Sequence, residues 1–531
     1  MEEPTQMRSV RRPILVALAL FFIIAGSFGL RAQTNPPDDL DAYVAKAMKE
    51  FEVPGAAIAI VKDGQVVLAK GYGVRRLGDP ATVDARTVFQ IASNTKAFTA
   101  AALAILVDEG KLRWDDLVIN HLPWFQLYDP YVTRELTVTD LLTHRSGLGL
   151  GAGDLLWFHS DYGREEILKR LRYIKPASSF RSRYAYNNVL YIAAGQIIPA
   201  ATGKSWDDFV KERIFTPLGM TSTNTSIRLF HPGDNVASPH MKLDGTMQVA
   251  LPDTVENAAP AGAINSNATD LANWVRVQLD SGRIDAGKRL FSANRAREMW
   301  APQTILPIGT PPPSLAGLSP NFSLYARGWM LREYKGRKIV THSGGLTGMT
   351  SRVLLVPEMK LGIVVLTNAG TPLFEALTYR ILDHHLGVAP TDWAAVLAAF
   401  SRQADSSAAA VELTRAEGRA VDSKPSLPLE KYAGRYNDAW YGDATINLEN
   451  GKLVFRLSRS PEFVGDLEHY QYDTFKARWR SRNLEDAFVY FALKPNGSID
   501  TMKMAAVSPL ADFSFDYQDL LFTPVPEQPR K

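Results

Sequence analysis

The chain has 531 residues, enough for two folded domains after a leader, and its 46% hydrophobic and 22% charged content is that of a soluble globular protein. The formal net charge of +3 is small, and no dense run of Lys and Arg interrupts the folded part, so nothing points to a nucleic-acid partner. The absence of cysteine excludes disulfides, thiolate zinc sites and a cysteine nucleophile.

At the N-terminus, Arg8, Arg11 and Arg12 precede an apolar run over 14–30, and Ala32, Gln33 and Thr34 follow. This is the layout of a signal peptide within residues 1–33, or of an uncleaved anchor that would tether the protein to a membrane. Either form predicts a folded part outside the cytoplasm, periplasmic or extracellular. The Arg11-Arg12 pair lacks the flanking residues of a twin-arginine signal.

After Pro36-Pro37, the apolar positions Leu40, Tyr43, Val44, Ala47, Met48 and Phe51 follow the helical period. Strands are predicted over 55–61 and 65–71, joined by the hairpin signal Asp63-Gly64. A short apolar run over 88–91 then meets Ser93. From there to about Glu109 the sequence is rich in Ala and Leu, holds no Pro and closes on Gly110, which predicts a buried helix with a glycine stop. Thr137 caps a short helix that ends near His144, and a histidine at such a place more commonly bonds backbone than acts as a base. The stretch 149–163 is rich in glycine and carries Trp157 and Phe158, as expected for a mobile wall of a cleft. Tyr186 and Asn188 precede a helical run over 190–201. Residues 227–260 show many turn formers and no period.

Strands are predicted over 327–331, 337–341, 350–356 and 362–367, followed by a helix over 374–386. The fold class is therefore α/β (α+β), an antiparallel sheet flanked by the first and last helices, with an all-helical part between. Residues 389–427 read as an Ala-rich, helical linker. Beyond Pro428 the texture changes to short alternating runs with turns at Asn450-Gly451 and Asn496-Gly497, which predicts an antiparallel meander closing into a small β-barrel.

The chemistry centres on Ser93-Asn94-Thr95-Lys96. A spacing of three brings two side chains onto one face of a helix, so the lysine amine can lie beside the serine hydroxyl and activate it. A serine at a helix start also sits where a developing anion is stabilised. Taken alone, the pattern more often marks an N-capping serine and a solvated lysine. Two further pieces follow in chain order, Tyr186-Asn187-Asn188 and His342-Ser343-Gly344.

This order resembles the serine β-lactamase and penicillin-binding-protein superfamily, and within it the class C related branch of D-amino-acid peptidases and esterases. The wording around the motifs matches too: Phe89-Gln90-Ile91-Ala92-Ser93, Thr139-Asp140-Leu141-Leu142-Thr143-His144-Arg145-Ser146-Gly147-Leu148 and His342-Ser343-Gly344-Gly345. The resemblance implies a hydrolase domain over 38–388 and a lipocalin-like barrel over 428–525, whose most distinctive text is Glu468-His469-Tyr470 with Phe475 and Trp479 nearby. It implies Ser93 as nucleophile, Lys96 as its base, Tyr186 as second base or proton donor, and Asn188 holding Lys96 and the substrate amide. The amides of Ser93 and Gly345 would form an oxyanion hole, each worth about 3 kcal/mol, with His342 and Gly344 on the strand that receives substrate. No cofactor is implied, and no metal, since His384 and His385 point to different helix faces.

His342 stands where many β-lactamases and transpeptidases carry lysine, which favours the peptidase and esterase members. The expected activity is therefore an exported serine hydrolase that forms an acyl-enzyme with an amide, peptide or ester, a small-molecule or peptide substrate. The alternatives are a β-lactamase or D-Ala-D-Ala carboxypeptidase, and a non-catalytic binding or scaffold protein of the same fold. Aromatics that simply fill the barrel are the plainer expectation for its interior; a barrel that restricts the cleft is the sharper one. Substrate identity and oligomeric state are not written in the motifs.

Overall fold

The computed structural model describes residues 35–526, so the basic and apolar leader segment lies outside the described residues. Among those residues, no helix is long and apolar enough to cross a membrane.

The first helix, Leu40–Phe51, buries Leu40, Val44, Ala47 and Phe51, the face given by its period. Strands β1 (Gly55–Lys62) and β2 (Gln65–Gly73) form the expected hairpin, and Asp63 and Gly64 both adopt positive φ at its turn. Six later strands extend the sheet: β3 (Thr304–Ile305), β4 (Ser323–Tyr325), β5 (Met330–Tyr334), β6 (Arg337–Leu346), β7 (Met349–Val356) and β8 (Leu361–Thr367). Their order is β2-β1-β8-β7-β6-β5-β4-β3, and every pairing is antiparallel. β1 is buried on both faces because helices cover both sides of the sheet. Ala56, Ile58 and Ile60 meet Leu40–Phe51 and Leu373–Leu386, while Ala57, Ala59 and Val61 meet the core that holds Phe98 and Trp274.

That second core belongs to helices inserted between β2 and β3. Helix Thr95–Asp108 is its axis, buried almost throughout, with Phe98 stacked on Trp274 at 4.0 Å and edge-on to Phe215. Helix Val189–Thr202 runs beside it and ends at Gly203 in the left-handed conformation. Residues 227–260 hold a small hairpin, with 240–243 pairing 246–249 across Asp244-Gly245, a turn signal obscured by the many other turn formers around it.

The Ala-rich stretch is the helix Trp393–Glu417, docked by Trp393, Ala394 and Leu397 onto the sheet's outer helices. Beyond it, eight strands close into a barrel: β9 (Gly434–Asp438), β10 (Gly442–Glu449), β11 (Lys452–Leu457), β12 (Val464–Gln471), β13 (Thr474–Trp479), β14 (Ala487–Leu493), β15 (Ile499–Ala506) and β16 (Leu521–Pro524). Two of these, β12 and β16, were not separable in the sequence, the first because its alternation is irregular. Tyr432, Phe455, Phe475, Trp479 and Phe491 pack against one another inside the barrel, so the aromatics form its core. The Glu468-His469-Tyr470 text faces helix Trp393–Glu417, where Tyr470 Oη donates to the Arg415 carbonyl and Arg419 binds the Tyr470 carbonyl.

Barrel and hydrolase domain share a continuous apolar contact, including Phe515 edge-on to Phe158 at 5.1 Å. At its margin, His159 lies between Glu462 of the barrel at 3.1 Å and Asp253 at 3.4 Å. Burial alone would push this imidazole down, but the two carboxylates outweigh it and raise it to about 9. A group raised on folding stabilises fully below its ordinary 6.5 and loses that contribution as pH rises through the raised value. Stability is therefore expected to fall by on the order of 1–3 kcal/mol between neutral pH and about pH 9.5, and Glu462→Gln should remove much of that slope in denaturant titrations at each pH.

Candidate active site

Ser93 sits where a two-residue strand, Phe89–Gln90, turns into the helix Thr95–Asp108 through a single 3-10 turn at Ala92–Asn94. The turn is strained: Ala92 holds a φ of 48°, a region that residues with a Cβ seldom enter. Its neighbours hold it there. The Ile91 amide donates to the Ile264 carbonyl, Asn94 Nδ2 donates to Ser351 Oγ, and Ser351 Oγ donates to the Ile91 carbonyl. The result is a serine that stays partly exposed while the residues around it are buried.

Lys96, one turn on, is 0% exposed. Its Nζ stands 3.0 Å from Ser93 Oγ, 2.7 Å from Asn188 Oδ1 and 2.9 Å from the Ala261 carbonyl. Burial pushes the amine down to about 7, against the opposing pull of the Asp154 carboxylate. A neutral amine has two N–H donors and one lone pair, which matches two fixed acceptors and one hydroxyl.

Tyr186 precedes helix Val189–Thr202, and Asn188 is that helix's N-cap residue. The Tyr186 ring faces Lys96 Nζ at 4.8 Å. Burial holds its phenol protonated, well above the ordinary tyrosine range, with the Ser93 hydroxyl offsetting this only in part. His144 positions this turn: the Asn187 amide donates to His144 Nδ1 at 3.1 Å and the Ala185 amide to its carbonyl. It thus bonds backbone, as its place at the end of a helix suggested.

His342, Gly344 and Gly345 all lie on β6, beside the turn that carries Ser93. His342 Nδ1 is 2.6 Å from the Ser343 carbonyl, which can only accept, so Nε2 accepts from Tyr325 Oη at 2.9 Å. Burial, then the nearby Lys96, pushes the imidazole down to about 3, so it is neutral. Gly344 faces the turn that carries Ser93: a Cβ there would stand 2.1 Å from the Ile91 carbonyl and 2.7 Å from Ser351 Oγ. Gly345 is on the other side of the strand, in open space on the cleft.

The cleft has a volume of about 400 Å³ and brings together Ser93, Tyr186, Asn188, His342 and Gly345 with the apolar side chains of Leu150, Trp157, Val255, Met330 and Leu346. Asp512, Phe513 and Ser514 of the barrel domain complete its wall. The glycine-rich stretch is consequently not a free wall: residues 151–158 are buried under the barrel's 512–516 segment. Sequence reasoning singled out none of Asp154, Phe513 or Ser514. The available signal was the coincidence of Gly149, Gly151 and Gly153 with an aspartate, since Gly151 exists to admit the Phe513 carbonyl, 2.5 Å from where its Cβ would be. Among the described residues, no group of three or more His, Asp or Glu side chains could hold a metal ion.

Residues 40–386 match the family model described as Beta-lactamase, and 418–524 match a domain of unknown function, DUF3471. The chain is 31% identical over 444 residues to the unguisins hydrolase ungD′ of Aspergillus campestris, covering 77% of this chain and 78% of that protein. It is 32% identical to penicillin-binding protein 4 of Amycolatopsis lactamdurans over 360 residues, 64% of this chain and 87% of the relative. The octameric penicillin-binding protein homologue from Pyrococcus abyssi shares the fold at a TM-score of 0.56 and 22% identity, over 91% of this chain and 99% of that one. The chain belongs to the beta-lactamase family. It is a serine hydrolase of that family, carrying a C-terminal eight-stranded barrel.

Because Gly344 sets how closely β6 approaches Ser93, Gly344→Ala is expected to cost about 1–3 kcal/mol of stability. Gly345→Ala, with no atom near its Cβ, should stay within about 0.5 kcal/mol of wild type in the same denaturant titration.

Proposed function

We propose that the protein hydrolyses amide, peptide or ester substrates through an acyl-enzyme on Ser93. Ser93 Oγ attacks the carbonyl carbon and gives its proton to Lys96 Nζ. The tetrahedral oxyanion rests on the Ser93 and Gly345 amides, and its collapse expels the leaving group, which takes a proton from Tyr186 Oη or from the Lys96 ammonium. A water then attacks the ester, and the same groups return the proton to Ser93. Of the two candidate bases, Lys96 is the better one: its amine lies near neutrality, whereas the Tyr186 phenol is held protonated. Asn188 positions Lys96.

The observation that carries this reading is the triple contact of the buried Lys96 amine with Ser93, Asn188 and Ala261. A scaffold that does no chemistry has no use for a desolvated lysine against a partly exposed serine. The cleft also speaks to substrate. No Lys or Arg is among its lining residues, its one carboxylate is Asp512, and His342 is neutral. A substrate carboxylate finds no cation there, which disfavours penicillins and free C-terminal D-Ala-D-Ala and favours uncharged amides and esters. The relatives named as unguisins hydrolases fit that preference for hydrolysis; the relative named as penicillin-binding protein 4 keeps the β-lactam reading as the alternative. The leader's composition supports export, with or without a retained membrane tether.

Intact-mass analysis after exposure to an alkyl fluorophosphonate should show one adduct that disappears in Ser93→Ala, and benzylpenicillin should give little or none. No fluorophosphonate adduct, or one that persists in Ser93→Ala, would remove the mechanism. The rate of acylation should rise about tenfold per pH unit below about 7, where Lys96 sheds its proton, and level off above it. Lys96→Arg, which keeps a permanent charge, should lose about 10²–10⁴-fold at every pH.

A further inference from the structure

A line of hydrogen bonds leaves the cleft and enters the C-terminal domain. Lys96 Nζ donates to Asn188 Oδ1 at 2.7 Å, and Asn188 Nδ2 donates to Asp154 Oδ2 at 2.8 Å. The same Asp154 oxygen accepts from Ser514 Oγ of the barrel domain at 2.9 Å, and Asp154 Oδ1 accepts from Trp157 Nε1 at 2.7 Å. Asp154 is 0% exposed, so these three donors are what its carboxyl group has in place of water.

The barrel grips the backbone here as well. Asp516 accepts from the Gly153 amide at 2.7 Å and the Leu155 amide at 3.0 Å, the residues on either side of Asp154. Gly151 leaves room for the Phe513 carbonyl, and Phe515 packs on Phe158. A loop 360 residues distant in sequence thus fixes both the main chain and the side chain of Asp154.

We propose that Asp154 and Ser514 are positioning residues of the acylation step, so that the barrel domain orients the lysine base through the Asp154–Asn188 pair. This rests on the reading of Ser93 and Lys96 given above. The physical reason lies in the asparagine. Its two ends are nearly equal in size, and only hydrogen bonding decides which faces Lys96. A carboxylate only accepts, so Asp154 claims the Asn188 NH₂ group and turns the amide oxygen toward the lysine. Turned the other way, Asn188 would set N–H against N–H, and the amine would lose one of the two acceptors that aim its lone pair at Ser93. Ser514 holds the carboxylate in that role.

The groups that face Lys96 from the surrounding elements are Asp154, Tyr186, Tyr191, His144 and His342. Asp154 is the carboxylate that raises the lysine's proton affinity against the effect of burial. Replacing it by a neutral isostere therefore has a signature that misfolding lacks: the acid limb of the rate profile moves to lower pH while its plateau drops.

The test uses the full-length chain and follows modification of Ser93 by an alkyl fluorophosphonate, by intact mass, across about pH 5 to 9. Ser514→Ala is expected to slow labelling about tenfold and Asp154→Asn about a hundredfold at the plateau, with thermal midpoints within about 5 °C of wild type. The acid limb of Asp154→Asn should lie at lower pH than that of wild type. Wild-type plateaus and limbs in both variants would overturn the proposal. So would a slowing that is fully accounted for by loss of folded protein in the melts. A wild-type chain that is not labelled at Ser93 would sink the hydrolase reading itself, a result separable from labelling that is merely indifferent to Asp154 and Ser514.

Discussion

An amine that is fully withdrawn from water and yet sits against a serine hydroxyl is the constraint around which this structure is arranged. Taking an ammonium out of water is so costly that the group sheds its proton near neutrality instead. Only in that state does the amine have the lone pair that the proposed base needs. Each surrounding feature either keeps water away from Lys96 or supplies the few polar contacts that the neutral amine can use. The helix Thr95–Asp108 is buried nearly all round for this reason, an unusual state for a helix that carries a functional group in its first turn.

The sheet contributes by proximity. β6 runs beside the strained turn at Ala92, and the approach is close enough that position 344 admits no side chain. The strain at Ala92 is held by hydrogen bonds that tie the turn, through Ile91 and Asn94, to Ile264 and Ser351 in two distant parts of the chain. Ser93 is thereby presented to the cleft by an over-determined backbone. That preorganisation is the kind of electrostatic support on which acyl transfer depends.

Much of this was legible in the sequence because it is written in local spacing. The Ser93–Lys96 interval, the Asp63-Gly64 and Asn450-Gly451 turns and the glycine stops at Gly110 and Gly203 each act within a few residues, and each appears where its chemistry puts it. The hairpin over 240–249 turns on a local Asp244-Gly245 signal hidden among neighbouring turn formers, β12 has an irregular alternation, and β16 carries only four residues that pair with strands distant in sequence. The 149–163 stretch shows the limit most clearly. Its glycines suggest mobility when read alone, but they make room for a loop from another domain, and only tertiary structure reveals the occupant. His342 gave the opposite case: its place in the third motif was plain, while its neutral state follows from burial and from the nearby Lys96, neither of which composition records.

The barrel's interior is filled by its own aromatic rings, and its rim at 512–516 is what meets the hydrolase domain. That rim arrives late. Ser514 lies 360 residues beyond Asp154, so a chain emerging in order presents its serine and lysine long before the loop that steadies them. During that interval the hydrolase core can collapse around Lys96 while Asp154 still lacks its outer partner. The contact between Ser93 and Lys96 lies within one helical turn and can form early, whereas the outer partner of Asp154 comes last.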